Sequence, residues 1–343
     1  MRRKIITGVF IAILSGIVMS SCKTESYNQK RNLTIAFYNV ENLFDLENEP
    51  GKSDGEFTPE GEKKWTQERY EKKLNDISKV LSSINEFELP EIIGFAEVEN
   101  EKVLRDLVQT ENLNKGNYKI AHFESPDFRG IDCALIYRPD EFKVEKTYPV
   151  PVKFDDDPDY LTRDILYVKG ILNNKEELNI FVNHWPSRIG GEEQTEPKRV
   201  GVAQILKAKI DSVLEANPEA NIIVMGDMND EPANKSLAET LGAQKPGTSG
   251  SKLVNLMYPE FDVKNGSYFY RGNWNMLDNI IVSSGLFDDK GFQCSSKQGY
   301  IFRRDWMEFK NSNGQISPNR TYGGPNYYGG ISDHFPVYFQ LSR

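Results

Sequence analysis

The sequence predicts an α+β fold of stacked sheets and helices. Apolar, β-branched runs recur along the chain, helical periodicity appears in only a few stretches, and those stretches are spaced too irregularly for a repeating βαβ barrel. The chain has 343 residues, 38% hydrophobic and 27% charged. That is enough to bury a packed core without help from disulfides or a structural metal. Three cysteines cannot make a disulfide framework.

The N-terminus reads as an address. Arg2, Arg3 and Lys4 precede an apolar run at 5–19, followed by Ser20-Ser21-Cys22. A basic start, a short apolar run and small residues mark a secretory signal, and the run is shorter than the ~20 residues of a membrane span. The small-residue pair before Cys22 is similar to the bacterial lipoprotein lipobox, with Met19 where that pattern usually has Leu. The similarity implies cleavage before Cys22, acylation of its thiol, and an exported protein anchored by lipid to a bacterial membrane, periplasmic or at the cell surface. The expected organisation is a signal peptide at 1–21, a lipidated tether at 22–32 and one domain at 33–343.

Residues 33–38 read as a buried strand. An acidic loop follows at 47–62. The segment 66–85 places Tyr70, Leu74, Ile77, Val80, Leu81 and Ile84 on one helical face. Residues 91–96 are the next strand, and Val103, Leu104, Leu107 and Val108 suggest a second helix. Cys133 lies in the strand 133–137 as a core thiol. Strands at 164–168 and 178–183 flank the turn Asn173-Asn174-Lys175, with an acidic loop before them at 155–159. A long amphipathic helix spans 199–214. Further strands are expected at 221–225, 280–282 and 337–341, and 296–330 reads as a long loop.

Polar residues sit where several of these strands end. Asn39 follows 35–38, Glu97 follows 92–96, and His184 follows 180–183. Asp227 and Asn229 follow 222–226, Asp278 precedes 280–282, and Asp333 and His334 precede 335–338. Any one of them could be a helix cap or a solvated loop residue. Together they are hard to explain by capping, because strand ends along one sheet edge are a rigid place to gather polar groups. Of only three histidines, His184 and His334 stand at such ends and His122 does not. Two carboxylates and an Asn amide make an oxygen-rich site for Mg²⁺ or Mn²⁺, with Ca²⁺ a third option, and no Cys/His cluster suggests structural zinc. Histidines near their working pH can act as general base and acid. A metal that polarises a phosphoryl oxygen, with a histidine activating water, is the chemistry of a phosphoester hydrolase.

The chain resembles the endonuclease/exonuclease/phosphatase superfamily from about Leu33 to Leu341. The motifs are Tyr38-Asn39-Val40-Glu41-Asn42-Leu43, Ala96-Glu97-Val98-Glu99-Asn100, Val182-Asn183-His184-Trp185, Met225-Gly226-Asp227-Met228-Asn229-Asp230 and Ser332-Asp333-His334-Phe335-Pro336-Val337. The resemblance implies a deoxyribonuclease I-like, four-layered α/β sandwich, with two mostly antiparallel sheets face to face and helices outside. It implies that Glu97 is the principal metal ligand, with Asn39 and Asp333 beside it. His334 would be the general base, oriented by Asp278. Asp227 would position or activate water, Asn229 would hold a phosphate oxygen, and His184 would stabilise the transition state or protonate the leaving oxygen. By the same resemblance Arg163 contacts phosphate. Arg188, four residues after His184, could clamp one through its planar fork. Asp132 reads either as an orienting partner for His184 or as a turn residue.

Substrate is less determined. A nuclease or phosphodiesterase acting on extracytoplasmic nucleic acid is the first expectation. A phosphatase or phosphodiesterase on a small or lipid-derived phosphoester is the second, and an inactive binding lipoprotein the third. The net charge of −9 disfavours a protein that grips DNA through non-specific phosphate contacts. Basic specificity-loop candidates are Lys198-Arg199 and Arg303-Arg304. Tyr322, Tyr327 and Tyr328 could stack bases or a sugar. A monomer with no obligate protein partner, touching a membrane only through its lipid, is expected.

Overall fold

The computed structural model describes residues 32–288 and 290–343. The segment expected to hold a signal peptide, Cys22 and most of a tether, up to residue 31, lies outside the described residues. Among those described, no helix is long and apolar enough to cross a membrane.

In chain order the strands are β1 (Asn32–Leu43), β2 (Ile92–Val98), β3 (Lys119–His122), β4 (Asp132–Tyr137), β5 (Phe142–Val150), β6 (Ile165–Leu172), β7 (Glu177–His184), β8 (Asn221–Asp227), β9 (Ala243–Gln244) and β10 (Leu253–Asn255). They continue with β11 (Tyr268–Tyr270), β12 (Asn273–Asn275), β13 (Asp278–Ser283), β14 (Tyr300–Ile301), β15 (Glu308–Lys310), β16 (Ile316–Pro318), β17 (Tyr322–Gly323), β18 (Asn326–Tyr327) and β19 (Val337–Ser342). The longer helices are α1 (Gln67–Ser83), α2 (Glu101–Val108) and α3 (Glu192–Ala216).

One sheet has the order β14-β19-β1-β2-β4-β3, the other β5-β6-β7-β8-β13-β10-β9. Only β1–β2, β7–β8 and β9–β10 are parallel in these sheets. The first two of these pairs are joined by the crossover helices α1 and α3, as parallel neighbours require. Both parallel pairs therefore deliver the C-terminal ends of two adjacent strands to one edge. That edge is where Asn39, Glu97, His184 and Asp227 stand.

Three apolar layers separate four layers of structure. Strand alternation sends Ile35 and Phe37 to one face of β1 and Ala36, Tyr38 and Val40 to the other. The first set packs between the sheets against Ile180, Val182, Ile223, Met225 and Ile280. The second packs under α1 and α2, against Tyr70, Leu74, Ile77 and Leu104. On the far side Phe181, Ile222, Val224 and Ile281 meet Val202, Leu206 and Ile210 of α3. Each of these side chains contributes roughly 1.5–3 kcal/mol by leaving water. Helix α1 starts where Thr66 caps it, accepting from the Arg69 N–H. Asn100 does the same for α2 through Val103 N–H.

The expected sandwich is present, and the differences lie in its smaller and edge elements. The 296–330 segment is not a plain loop: it forms β14 and the hairpins β15–β16 and β17–β18. Their strands are two or three residues long, too short to leave a periodic signal. Sequence periodicity also passes over β5, an edge strand that pairs only with β6. Lys143, Glu145, Lys146 and Pro149 break its apolar pattern, as edge strands do to resist further pairing.

Candidate active site

Three adjacent strands of the second sheet place His184, Asp227 and Asp278 side by side. His184 of β7 is in register with Asp227 of β8, which is in register with Asp278 of β13. Gly226 lets β7 and β8 approach here: a Cβ on it would lie 2.3 Å from the Asn183 carbonyl oxygen. Asp227 Oδ1 accepts from the Asn229 N–H at 2.9 Å, a local turn that suits Asn229 at φ 49°.

The first sheet supplies the facing groups. Its β1–β2 and β2–β4 registers both shift around Glu97, a β-bulge, and Glu97 itself has φ 64°. Bulges re-aim side chains, and a left-handed non-glycine residue is strain characteristic of functional sites. Glu97 Oε2 accepts from the Asn42 N–H at 3.0 Å. The Asn39 amide bridges the sheets, donating to Asp227 at 3.0 Å and to Glu97 at 3.4 Å. Ser332 Oγ donates to the Asn39 carbonyl at 2.7 Å and accepts from the His334 N–H at 3.1 Å, which fixes the 332–334 turn against β1.

His334 Nδ1 donates to Asp278 Oδ2 at 2.6 Å, and Ser267 Oγ donates to the same carboxylate oxygen. The His334 Nε2 then faces Asp227 Oδ2 at 3.7 Å and Asp333 Oδ1 at 4.0 Å. His184 Nε2 lies 3.8 Å from both Glu97 Oε1 and Asp227 Oδ2. Its Nδ1 has no hydrogen-bond partner among the described residues. Burial alone would lower the His334 pKa, but the Asp278 and Asp227 carboxylates outweigh it and hold it well above the usual range. Burial lowers the His184 pKa well below that range, with Arg163, Arg129 and His334 adding to the effect. Burial, with Asp278 next to it, raises Asp227 to about 7. At neutral pH one imidazole is therefore cationic and the other neutral.

The donor chemistry fits a divalent cation. Glu97, Asp227 and Asp333 all face one cavity, two bulge and turn backbones hold their carboxylates, and oxygen donors dominate. Asp227, Asp278 and His334 also present ligand atoms within 4.8 Å of one another, but Asp278 is committed to His334 and Ser267. Glu97 and Asp333 present carboxylates to the cavity, Asp333 also pairing with Arg320 at 3.3 Å, whereas Asn39, expected as a ligand, turns its NH₂ to Asp227 and Glu97 and its Oδ1 to the Glu41 N–H at 3.0 Å.

The cavity has a volume of about 670 Å³, and Arg129, Arg188, Tyr268, Tyr270 and Arg271 stand in its wall with the groups above. Arg188 reaches it as expected, braced by the Asn229 carbonyl at 2.7 Å and Asp230 at 3.2 Å. Arg163 does not line it. Its guanidinium is buried, pairing with Asp127 at 3.1 Å and donating to the Trp185 carbonyl at 2.6 Å. There it braces the loop after His184 and adds positive potential behind it.

Asp132 does not reach His184; it takes His122 Nε2 at 3.1 Å and the Ser125 N–H at 2.9 Å. His122 thus ends a strand after all, β3, in a separate cluster with Asp132 and Glu124. Tyr322 and Tyr327 pack into the region of Phe57, Trp65 and Arg69. Arg199 is fully buried against Asp230, Lys198 pairs with Asp157, and Arg303 pairs with Glu308. None of these lines the cavity.

The aromatic wall comes instead from the hairpin β11–β12, whose Ser-Tyr-Phe-Tyr-Arg-Gly run carried a legible turn signal in Arg271-Gly272. Lys73, also not anticipated, is buried on α1 and donates to the Glu41 and Ile331 carbonyls and to Thr321 Oγ1. Glu41 accepts from the Thr321 and Tyr322 N–H groups. Together they brace the segment leading to Asp333.

Comparison with known proteins identifies the family and agrees with the fold. Residues 34–343 match the model of the Endonuclease/Exonuclease/phosphatase family. An endonuclease/exonuclease/phosphatase family protein from Bacteroides thetaiotaomicron is similar in structure, with TM-score 0.56 and 18% identity, covering 92% of this chain and 98% of that one. A mannosyl-6-phosphatase from the same organism gives 0.55 and 17% over 90% and 99%. D. rerio TDP2, complexed with a single-strand DNA product, gives 0.56 and 13% over 90% and 98%. A comparison with curated proteins gave no match. The chain belongs to the endonuclease/exonuclease/phosphatase family, an enzyme family of phosphoester hydrolases.

Proposed function

We propose that this enzyme hydrolyses a phosphoester at the end of a molecule, a small phosphorylated metabolite before a nucleic-acid strand end, with a divalent cation, at a site outside the cytoplasm. The observation that carries it is the convergence of Glu97, His184, Asp227 and the Asp278–His334 pair on the floor of a walled cavity. A volume of about 670 Å³ lies in the range of small-molecule sites. The acidic chain disfavours a grip on duplex DNA. The Tyr270 ring supports the second reading, since bases stack on such faces. Export and anchoring through Cys22 rest on the leader sequence.

Glu97 and Asp333 would hold Mg²⁺ or Mn²⁺, with the Asn39 NH₂ steadying Glu97 and Asp227, and the ion supplies Lewis-acid polarisation of a phosphoryl oxygen when bound. Asp227, raised to about 7, is the group suited to accept a proton from the attacking water as the new P–O bond forms and the ester P–O bond breaks. That transfers to Asp227 the base role expected of His334. His334, cationic and locked by Asp278, presents Nε2–H to the charge that collects on the phosphoryl group. His184 stays neutral and can donate a hydrogen bond to the departing oxygen. Arg188 and Arg129 hold the phosphate from the wall.

The test is hydrolysis of a phosphomonoester panel, bis-p-nitrophenyl phosphate, single-stranded DNA and plasmid DNA, with Mg²⁺ or Mn²⁺ and with chelator. Metal-dependent turnover of small esters or strand ends supports the proposal. Nicking of plasmid alone would overturn the substrate reading, and full activity in chelator would overturn the metal.

A further inference from the structure

The hairpin β11–β12 is built more rigidly than a two-stranded lip needs to be. Its turn, Arg271-Gly272, has φ 48° and 89°, the backbone of a tight type I′ connection. Trp274 stacks on Phe335, centroids 5.8 Å apart. Tyr268 lies on the His334 imidazole at 4.8 Å and bridges to it through the backbone. The Phe335 N–H donates to the Ser267 carbonyl at 2.8 Å. The catalytic histidine and the hairpin are thus one packed unit, and whatever the hairpin tip holds is registered to the reacting phosphorus.

At that tip Tyr270 is half-exposed, its ring nearly parallel to Tyr268, and the Arg271 guanidinium sits 5.1 Å from its centroid. Both line the cavity. Arg271 has no carboxylate partner among the described residues, unlike the other arginines of the wall. Arg188 is paired with Asp230 and Glu192, and Arg129 shares Asp127 with Arg163. Arg271 is therefore a cation without a carboxylate partner among the described residues, carried at the turn of the hairpin in the same cavity.

The geometry points to Tyr270 and Arg271 as a distal subsite, which selects phosphoesters bearing a planar ring and a second anionic group beyond the scissile phosphate. This rests on the reading of the cavity as a phosphoester hydrolase site. Tyr270 supplies the stacking face, and Arg271, held over it, meets the second anion.

The experiment compares adenosine 5′-monophosphate with adenosine 3′,5′-bisphosphate as ligands of the full chain with Mg²⁺. Wild-type kcat/KM is expected to favour the bisphosphate, and Arg271→Ala to reduce that preference about tenfold, carried by KM, as loss of a charge-assisted contact predicts. Tyr270→Ala should weaken both nucleotides by a similar factor, about fivefold or more. Calorimetric binding in the Asp227→Asn background, which leaves the Tyr268–His334 contact in place, reads the same preference without turnover. Equal loss on both nucleotides in Arg271→Ala would place that arginine on the scissile phosphate, and no loss on either would make it a packing residue; either result overturns the subsite. Absence of all metal-dependent hydrolysis with the binding preference intact would instead overturn the hydrolase reading and leave the subsite standing.

Discussion

Replacing Asp278 with Asn removes one charge and almost no volume, so it isolates what the carboxylate does. Asp278 Oδ2 takes the His334 Nδ1–H at 2.6 Å and the Ser267 hydroxyl, in a buried position. The carboxylate is the leading favourable cause of the raised His334 pKa. An Asn at this position offers an amide NH₂ as readily as a carbonyl, so the ring can turn its tautomer and lose the Nε2–H that faces Asp227. Losing a buried partner of this kind costs about 3–5 kcal/mol of interaction. Expressed in the transition state, that is roughly 10²–10⁴ in kcat, the scale on which an orienting carboxylate acts in hydrolytic triads. The fold should persist, because Asp278→Asn also relieves the repulsion between Asp278 and Asp227. Steady-state hydrolysis of p-nitrophenyl phosphate with Mg²⁺, together with thermal unfolding, provides the assay. Turnover within threefold of wild type, at unchanged melting temperature, would refute the orienting role.

Gly226→Ala puts a Cβ 2.3 Å from the Asn183 oxygen; a stability loss of about 1–3 kcal/mol and reduced turnover are expected in denaturant titration and kinetics. Glu99 is raised to about 8 by burial, above its unfolded value, so its stabilising contribution is full below about 4.5 and is lost as pH rises through about 8. Chelated protein should therefore melt at higher temperature at pH 5 than at pH 8, and Glu99→Gln should flatten that slope. Burial pushes the Cys133 thiol far up, so it should resist alkylation in the native state and react once the chain is unfolded, as read by mass spectrometry.

The site was legible wherever a strand ended in a polar residue, because periodicity fixes both the strand and its last position. Asn39, Glu97, His184 and Asp227 follow such strands, and Asp278 and His334 precede theirs. The bulge that aims Glu97 was not legible, since it depends on registers with both β1 and β4. Arg163 looked like a phosphate ligand because its position before β6 is right, but Asp127, from a distant loop, captures its guanidinium. The cavity wall was hidden for a different reason. Tyr268 and Tyr270 belong to a three-residue strand and Arg271 to the turn after it, and this short hairpin is held by Trp274 and Tyr268 packing on Phe335 and His334. Likewise Lys73 reads as part of a polar helix face until the chain beyond Arg320 closes over it.

The most direct measurement is phosphoester hydrolysis by wild type, Glu97→Ala and His334→Ala, each with Mg²⁺ or Mn²⁺ and then with chelator. The predicted result is metal-dependent turnover by wild type and a loss of about 10³-fold or more in both variants, with unfolding curves that show folded protein. Wild-type rates in either folded variant, or turnover that survives chelation, would contradict the assignment of the site.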